Sequence, residues 1–265
     1  MFESDDARHI TSRDNPLLVK LRKGLKDPAA YRKSGVLWLE GEHLCSACVA
    51  QGMAVPQALI TEAAWAQPHL QALARHAQHI GLVSETLMQG ISGLESPASL
   101  GFVLAAPAPQ ALRPHVGTVV LDRVQDPGNV GTLLRSAAAF GFAQVAALKG
   151  SVALWSPKVL RAAVGAHFSL HLCEALDPAD LANLQVPWLA SSPHALQALH
   201  EVALPWPCAW VLGHEGQGVD EALMAQCAQR LRIAQPGGQE SLNVAVAAAV
   251  CFYESARQRL VSASS

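Results

Sequence analysis

Three segments in the second half of the chain each join a short apolar strand to a helix through a polar turn that contains glycine. Strands that alternate with helices build a mostly parallel sheet, and the turns that leave the carboxyl ends of its strands can meet in one crevice. The pattern therefore predicts an α/β fold with a ligand site formed by the turns 126–131, 213–218 and 235–238.

The third turn is the most informative of the three. Its two glycines, Gly237 and Gly238, permit close approach of a ligand to backbone N–H groups at the start of a helix. A plain helix start needs only a capping side chain, which Ser241 can supply. It does not need Asn243 inside an otherwise apolar stretch. We therefore expect Asn243 to serve the site and the helix to begin at Ser241.

Composition limits the class of protein. Of 265 residues, 51% are apolar and 15% are charged, which suits one large or two small domains with a sizeable core and argues against disorder. The acidic segment 1–6 has no apolar run behind it, and the longest apolar run, 244–253, is too short to span a bilayer. Six cysteines are scattered without a framework. We expect a cytoplasmic protein with no membrane segment.

Two other patterns in the sequence are incomplete and do not match a known kind of site. His43, Cys45 and Cys48 lack the second ligand pair of a zinc site, so we expect no metal ion. The turn 213–218 does not have the GxGxxG order of a dinucleotide fingerprint. An oxidoreductase that uses a nicotinamide cofactor is therefore disfavoured.

The net charge of −2 does not indicate a nucleic-acid binder, but the distribution of charge does. Between positions 8 and 33 only Asp14 and Asp27 are acidic, and the basic residues are Arg8, Arg13, Lys20, Arg22, Lys23, Lys26, Arg32 and Lys33. Such a local excess is typical of a surface that contacts phosphates. A solvated helix face is the alternative.

The stretch 106–115 is rich in Pro and Ala and predicts a linker between domains 1–105 and 116–265. In the first domain we expect strands near 36–39, 55–60, 81–83 and 100–104, and helices near 42–51 and 70–79. In the second we expect strands near 117–122, 144–148, 187–191, 207–212 and 230–234, and helices near 129–140, 157–164, 178–184, 219–227 and 241–259.

The three turn segments resemble, in order, the three motifs of the SpoU/TrmH family of RNA ribose 2′-O-methyltransferases, which belong to the SPOUT class. The residues that carry this resemblance are Asn129, Gly131 and Arg135, then Gly213, Glu215 and Gly218, then Pro236, Gly237, Ser241, Leu242 and Asn243. The resemblance covers the whole C-terminal half, including 156–161 and 165–166. The positions that depart from the family's usual residues are His214, Gln217, Ala234 and Gln239.

The resemblance implies a fold, a cofactor and partners. The second domain is expected to be a knotted, Rossmann-like parallel-sheet domain with a trefoil knot, preceded by a small L30e-like α/β domain that binds RNA. S-adenosylmethionine is the expected cofactor. The expected substrate is a ribose 2′-hydroxyl in structured RNA, with ribosomal RNA favoured over transfer RNA. A non-catalytic RNA-binding protein of the same fold is the alternative.

The resemblance also implies a set of site residues. As catalytic residues we expect Arg135, Asn129, Glu215, Ser241 and Asn243. As cofactor-binding residues we expect Leu212, Gly213, Gly218, Ile233, Pro236 and Leu242. As RNA-binding residues we expect Arg13, Lys20, Arg22, Lys23, Arg32 and Arg161.

Several roles within this set stay open. Arg135 can orient the ribose hydroxyl and a phosphate. The family often assigns this arginine as the general base, which is demanding because a guanidinium gives up its proton with difficulty. Asn129 can hold its own turn, Arg135 or the ribose. Glu215 can pair with Arg135 or cap the helix that follows it.

The helix 241–259 is apolar nearly all round and carries several alanines that permit close helix approach. A terminal helix of one domain can normally keep one face in water, so this helix needs cover on two sides. We expect a homodimer formed through the C-terminal domain, in agreement with the resemblance. A central helix buried within its own fold is the alternative.

Overall fold

The computed structural model describes residues 7–238 and 241–263 of the chain. The protein divides into two compact units. The first comprises the chain up to Ala108 together with Trp155–Phe168, and the second comprises Pro109–Leu154 and the chain from Ser169 onward. The division after Ala108 lies inside the stretch 106–115, whereas the sequence interpretation does not include the segment Trp155–Phe168 in the first unit. The functional roles of the two domains stay predictions.

The described residues of the first unit form five strands, β1 (Ala7–Ile10), β2 (Val36–Glu40), β3 (Val55–Thr61), β4 (Ala77–Val83) and β5 (Leu100–Ala105). They form one sheet in the order β1-β4-β3-β5-β2, in which β5 runs antiparallel to both of its neighbours. The helices before the linker are α1 (Pro16–Lys26), α2 (Tyr31–Ser34), α3 (Glu42–Ala50), α4 (Glu62–Trp65), α5 (Pro68–Ala74) and α6 (Glu85–Gln89).

The helix α1 carries much of the basic segment. It begins where Asn15 accepts the backbone N–H of Leu17 at 2.9 Å and Pro16 takes the first helical position, which are two ordinary start signals. Leu18 and Leu21 are buried in the core of the unit. The charged residues of α1 therefore lie on the opposite side of the helix.

One predicted helix of the first unit is too long. The helix expected near 70–79 ends at Ala74, and the chain then enters β4. Alanine and glutamine favour a helix in this stretch, but β4 is paired on both sides, by β1 and β3. Tertiary pairing outweighs the weak local preference.

In the part of the second unit that the structure describes there are seven strands, β6 (Thr118–Leu121), β7 (Gln144–Leu148), β8 (His171–Leu176), β9 (Trp188–Ser191), β10 (Gln197–Ala198), β11 (Ala209–Leu212) and β12 (Gln229–Arg232). All of their pairings are parallel, in the order β10-β12-β9-β11-β6-β7-β8. The prediction of an α/β fold with a parallel sheet is confirmed. The remaining helices are α7 (Pro127–Ala139), α8 (Pro157–Ala163, in the first unit), α9 (Glu221–Gln226) and α10 (Val244–Ala263).

Besides β1 in the first unit, two strands of the second unit, β8 and β10, are not predicted from the sequence. Both lie at the edges of the sheet, where a strand is paired on one side and need not be uniformly apolar. The residues of β8 mix His171 and Glu174 with apolar side chains, and β10 has two residues. The helix predicted near 178–184 is a 3-10 helix, Pro178–Asn183.

The helix α10 packs one face on its own unit. Ala245, Ala248, Cys251 and Phe252 are buried at helical spacing, and the buried Trp210 indole donates to Ser255 Oγ at 3.0 Å. A second apolar face is exposed, although its residues are large. We call this face the α10 stripe, and it consists of Val246, Val250 and Tyr253, which are 51%, 38% and 55% exposed.

Within residues 7–238 and 241–263, no helix is both long and apolar enough to cross a membrane. The trefoil knot and the L30e-like character of the first domain are properties that the resemblance implies, and they stay predictions.

Candidate functional site

The three predicted turns leave the carboxyl ends of neighbouring strands. The sheet places β6 beside β11, β11 beside β9, and β9 beside β12. Because these strands are parallel, the turns after β6, β11 and β12 emerge at the same edge of the sheet. Ligands of open α/β sheets bind at such an edge. The three sequence motifs therefore share one crevice.

The side chain of Asn129 joins all three turns. Its Nδ2 donates to Glu215 Oε1 at 3.1 Å, and its Oδ1 accepts from Asn243 Nδ2 at 3.0 Å. Asn243 Oδ1 in turn accepts the backbone N–H groups of Ala245 and Val246 at 2.9 and 3.3 Å. We call Glu215, Asn129 and Asn243 the amide relay. It connects residues that lie up to 114 positions apart in the chain.

The helix start of α10 sets the direction of every hydrogen bond in the amide relay. The free N–H groups of its first turn need an acceptor, so Asn243 must present its oxygen to them. Its amide nitrogen then faces Asn129, which must present its side-chain oxygen as the acceptor. The nitrogen of Asn129 is left to face Glu215, and only an acceptor fits there. A carboxylate at position 215 satisfies this requirement.

The structure corrects two expected roles. Asn243, and not Ser241, caps α10, which begins at Val244 and not at 241. Glu215 neither pairs with Arg135 nor caps the helix that follows, because Asp220 caps α9 and the Glu215 carboxylate accepts from Asn129 and from the backbone N–H of Asp126. Asp126 in turn caps α7 by accepting the backbone N–H of Asn129 at 2.7 Å.

The surroundings of Glu215 lower the pKa of its carboxyl. Burial opposes ionisation and is the largest single influence, but it is outweighed by several hydrogen bonds together. These come from the Asn129 side chain and from the backbone N–H groups of Glu215 itself, Asp126 and Gln125. The amide relay therefore ends on an ionised carboxylate at neutral pH.

The turn 213–218 begins with a close backbone approach. A Cβ atom on Gly213 would lie 2.1 Å from Gly218 C and from Val219 N, so no side chain fits at this position. His214 and Gly218 exchange two backbone hydrogen bonds of 3.0 and 2.8 Å. Gly218 has a φ of +73°, which an L side chain rarely adopts. Both predicted glycines are therefore required by the backbone of this turn.

The sequence interpretation omits a second connection between the first two turns. The buried carboxylate of Asp122 accepts two hydrogen bonds from Arg123, at 2.8 and 3.0 Å, and the backbone N–H of Asp220 at 2.7 Å. Arg123 also donates to Gln217 at 3.1 Å. Hydrogen bonds and charge from Asp122 raise the pKa of Arg123. The buried acidic residue at the end of an apolar strand, Asp122, is the signal that could have found this pair.

The predicted cofactor residues lie on the strands and turns around this crevice. Leu212 is buried at the end of β11, Ile233 is half-buried after β12, and Leu242 is 36% exposed. Pro236 is exposed in the third turn. Nearby in sequence, Gln235 Oε1 is buried and accepts no hydrogen bond from any described residue. Gln239, one of the departures from the family pattern, lies outside the described residues.

Arg135 is exposed on α7. Within the described part of the chain its guanidinium makes no hydrogen bond and no ion pair, so the amide relay does not hold it. One turn earlier on the same helix, Thr132 lines a groove together with Ala245, Ala249 and the α10 stripe. Arg135 therefore presents a free charge beside that groove. Ser241 is also exposed, and its side chain makes no hydrogen bond within the described residues.

A comparison with models of protein families shows which family has these three motifs. The model of the SpoU rRNA methylase family matches residues 117–253, which include the complete amide relay. The chain belongs to the SpoU rRNA methylase family.

Individual relatives of this family are similar over nearly the full chain. An uncharacterized tRNA/rRNA methyltransferase of Synechocystis sp., slr1673, is 33% identical over 271 residues, which cover 97% of this chain and 96% of that protein. The 23S rRNA (guanosine(2553)-2′-O)-methyltransferase RlmP of Bacillus subtilis is 29% identical over 238 residues, covering 89% and 94%. These similarities include the first unit as well as the family domain.

Two solved structures share the fold. An RNA 2′-O ribose methyltransferase matches with a TM-score of 0.78 and 31% sequence identity, covering 95% of this chain and 99% of that chain. An AdoMet-bound rRNA methyltransferase from Sinorhizobium meliloti matches with a TM-score of 0.81, covering 96% and 99%. Its identity of 22% shows similarity of fold alone.

The predicted RNA-binding residues of this SpoU family member do not form a single group. Arg13, Lys20, Lys23 and Arg32 are exposed. Arg13, Arg22, Lys23 and Lys26 line one groove along α1, and Arg22 donates to the backbone carbonyl of Arg13. Arg161 instead places Nη1 at 3.9 Å from the buried carboxylate of Glu40, which also accepts from the hydroxyl of Ser92.

A further loop at the site edge is missing from the sequence interpretation. The segment after β9, from Ser192 to Leu196, emerges between the turns that follow β11 and β12. The backbone N–H of Ser192 donates to Leu231 at 2.9 Å, and Leu196 is 94% exposed. Its position is set by the strand order, which the sequence did not reveal.

Within residues 7–238 and 241–263, no group of three or more His, Cys, Asp or Glu side chains is placed to hold a metal ion. Cys45 and Cys48 are free cysteines buried in α3, and burial raises the pKa of the Cys48 thiol to about 11. The two cysteines of this fragment are part of the core, whereas His43 is exposed.

Replacement of Asn129 by alanine should raise the pKa of Glu215. The variant loses the side-chain donor but keeps the burial that opposes ionisation. A depressed carboxyl pKa stabilises the fold above the unfolded-state value, and this contribution is lost as pH falls through the folded-state pKa. Between the unfolded-state pKa and the folded-state pKa of Glu215, the Asn129→Ala protein should therefore lose less free energy of unfolding on acidification than the wild type does.

Carbon-detected NMR titration of the Glu215 carboxyl measures the effect directly. Glu254 is the internal control, because the side chain of Arg257 lowers its pKa and it lies outside the amide relay. An unchanged Glu215 titration in Asn129→Ala would show that the hydrogen bond between the two side chains does not control this carboxylate.

Proposed function

We propose that this protein transfers a methyl group from S-adenosylmethionine to a ribose 2′-hydroxyl of ribosomal RNA. The observation that carries the proposal is the amide relay, which joins the three family motifs at one sheet edge beside the free guanidinium of Arg135. Membership of the SpoU family and the similarity to relatives named as rRNA 2′-O-methyltransferases support it.

The third turn and its surroundings fit the cofactor. Gln235 Oε1 is a buried acceptor without a partner among the described residues, and it suits a ligand that brings an N–H donor. Leu212 and Ile233 supply apolar surface, and Gly213, Gly218, Pro236 and Leu242 complete the proposed set. When bound, the cofactor supplies a methyl group activated by a positively charged sulfur.

The chain's own residues have to orient the hydroxyl and favour the loss of its proton. Arg135 is suited to hold the hydroxyl oxygen and a neighbouring phosphate, because a guanidinium grips phosphate with two donors. A charge placed where an alkoxide develops lowers the barrier without needing to accept a proton. Arg135 is exposed and has no hydrogen-bond or ion-pair partner among residues 7–238 and 241–263, so its donors are available to RNA.

Glu215 is better suited to hold the site than to act as the base. Its carboxylate already accepts from Asn129 and from the backbone of Asp126, and its depressed pKa makes it a weak proton acceptor. The amide relay then fixes three turns relative to one another, and a reaction between two bound molecules depends on such positioning. We assign Ser241 as a further contact, since its hydroxyl is exposed beside Asn243.

The proposed substrate is ribosomal RNA, and the site of action is the cytoplasm. The groove of Arg13, Arg22, Lys23 and Lys26 along α1 places four positive charges on one surface of the first unit. This arrangement suits the phosphates of a folded RNA. Transfer RNA is the alternative substrate, because one similar protein is named as a tRNA/rRNA methyltransferase.

We further propose a homodimer formed through the α10 stripe. Val246, Val250 and Tyr253 leave a second apolar face uncovered on a helix whose first face is already buried in its own unit. A second copy of the chain would cover this face, and Ala249 beside it permits close helix approach. Arg135 lies next to the same groove, so the partner would also border the reacting group.

Arg135→Ala should lose methyl transfer while keeping cofactor binding. The expected fall in rate is on the order of 10²–10³-fold, because one charge-stabilising donor is removed from the transition state. Tritium transfer to unmodified RNA measures the rate, and calorimetry measures the affinity for S-adenosylmethionine. Arg75→Ala, which removes an exposed charge from the first unit, is the matched control. A parallel loss of cofactor affinity would contradict the assigned role of Arg135.

The triple variant with Lys20, Arg22 and Lys23 changed to alanine should bind RNA more weakly and with less dependence on salt. Each lost phosphate contact removes about one counterion, so the slope of log affinity against log salt should fall by about three. Filter binding across a salt series gives this slope. A control variant removes Arg75, Lys149 and Arg230, which are also exposed. Equal slopes for the two variants would show that the α1 charges form a solvated helix face and do not contact RNA phosphates.

Val250→Glu in the full-length chain should convert a dimer into a monomer. A carboxylate at the centre of the α10 stripe cannot be buried against a second copy without a partner. Sedimentation equilibrium at tens of micromolar protein distinguishes the two states. Met53→Glu, at a position that is 43% exposed in the first unit, is the control. A wild-type protein that sediments as a monomer at this concentration would refute the dimer.

A further inference from the structure

The imidazole of His214 holds the turn that carries Glu215. Its Nδ1 accepts the backbone N–H of Gly216 at 3.0 Å and that of Gln217 at 3.3 Å. Both donors are backbone amides whose hydrogens cannot move, so Nδ1 must present a lone pair and the ring proton must reside on Nε2. The turn is therefore built around a neutral histidine in one tautomer.

This arrangement reproduces a familiar turn with an unusual residue. Asparagine and aspartate stabilise turns by accepting the N–H two residues further on. In His214 the Nδ1 atom stands two bonds beyond Cβ, as Oδ1 does in asparagine. The imidazole can therefore take the place of an asparagine side chain, with one difference. Protonation turns Nδ1 from an acceptor into a donor, which an asparagine oxygen never becomes.

The turn held by His214 directs Glu215 toward the amide relay. Glu215 lies between His214 and the two amides that the ring binds, so its backbone conformation follows from theirs. On the other side, the backbone of Gly213 lies so close to that of Gly218 that no side chain fits between them. If the imidazole no longer accepts these two hydrogen bonds, the Glu215 carboxylate is no longer held in its direction toward Asn129.

The charged groups of the neighbouring elements do not replace this contact. Arg123 reaches the turn through Gln217, and its own charge is paired with Asp122. Asp126 is engaged in capping α7, and Asp220 in capping α9. Glu215 is the charged residue of the turn itself.

From these contacts we propose that His214 is a positioning residue for methyl transfer and that its protonation disables the site. The proposal rests on the proposed function for its effect on rate, but its effect on the turn stands on geometry alone. It predicts that the enzyme loses activity when the ring is protonated, for a reason separate from the chemistry of the RNA hydroxyl. The neutral ring keeps the turn, and the protonated ring breaks it.

Two variants test the proposal, His214→Asn and His214→Ala. The asparagine variant keeps an acceptor at the same distance from the backbone and cannot be protonated, whereas alanine removes the acceptor. At neutral pH, His214→Asn should transfer methyl groups at nearly the wild-type rate, and His214→Ala should be slower by about tenfold, as expected for two lost hydrogen bonds. As the pH is lowered in a titration series, the ratio of the wild-type rate to the His214→Asn rate should fall.

The ratio isolates the histidine, because the pH dependence of the reaction itself is common to both proteins. Parallel pH profiles for wild type and His214→Asn, or a wild-type rate in His214→Ala, would overturn the proposal. The carboxyl titration of Glu215 gives a readout without RNA or cofactor, and its pKa should rise in His214→Ala but not in His214→Asn. An unchanged titration in both overturns the positioning role. Absence of transfer by the wild type would instead overturn the proposed function.

Discussion

The site depends on two hydrogen bonds made by a single amide, that of Asn129. A carboxamide has a donor end and an acceptor end, so it can connect an anion to another amide in one direction only. Here the first turn of α10 fixes that direction, because its free N–H groups demand an oxygen from Asn243. The requirement passes through Asn129 to Glu215. A helix terminus thereby determines which residue types can stand in two other turns.

Among the other polar side chains of the crevice, some have hydrogen-bond partners within the described part of the protein and others do not. Asp122, Arg123 and Gln217 use their polar atoms on one another and hold the first two turns together. Within the described residues, Gln235 Oε1 and the Arg135 guanidinium make no hydrogen bond. A buried polar atom without a partner is costly unless a ligand satisfies it, whereas the exposed guanidinium is hydrated and available for contact. The satisfied residues form the frame, and the open ones mark where molecules are expected to bind.

The sequence predicted the general plan of the second unit because parallel strands bring their carboxyl ends to one edge. It also indicated Asn243 correctly as an unusual residue in an apolar helix, but it assigned the cap to Ser241. Sequence spacing shows which residues stand near a turn, whereas the choice of cap depends on where the chain first becomes helical. The partner of Glu215 was likewise undetermined, since Asn129 is 86 positions away and only the strand order brings them together.

Edge strands, and hydrogen bonds between residues far apart in the chain, were the hardest features to predict. The strand β8 contains histidine and glutamate because one of its sides is unpaired, so its pattern does not resemble a buried strand. An acidic residue at the end of an apolar strand marks Asp122 as unusual, but nothing in the sequence identifies Gln217 and Asp220 as the residues that Arg123 and Asp122 contact. These contacts follow from the register of the sheet, which local preferences do not encode.

The segment Trp155–Phe168 belongs to the first unit although the second unit precedes and follows it in the chain. The two units are therefore interleaved, and no single cut in the backbone separates them. Melting of the first unit releases a segment that is tied at both ends to the second, between β7 and β8.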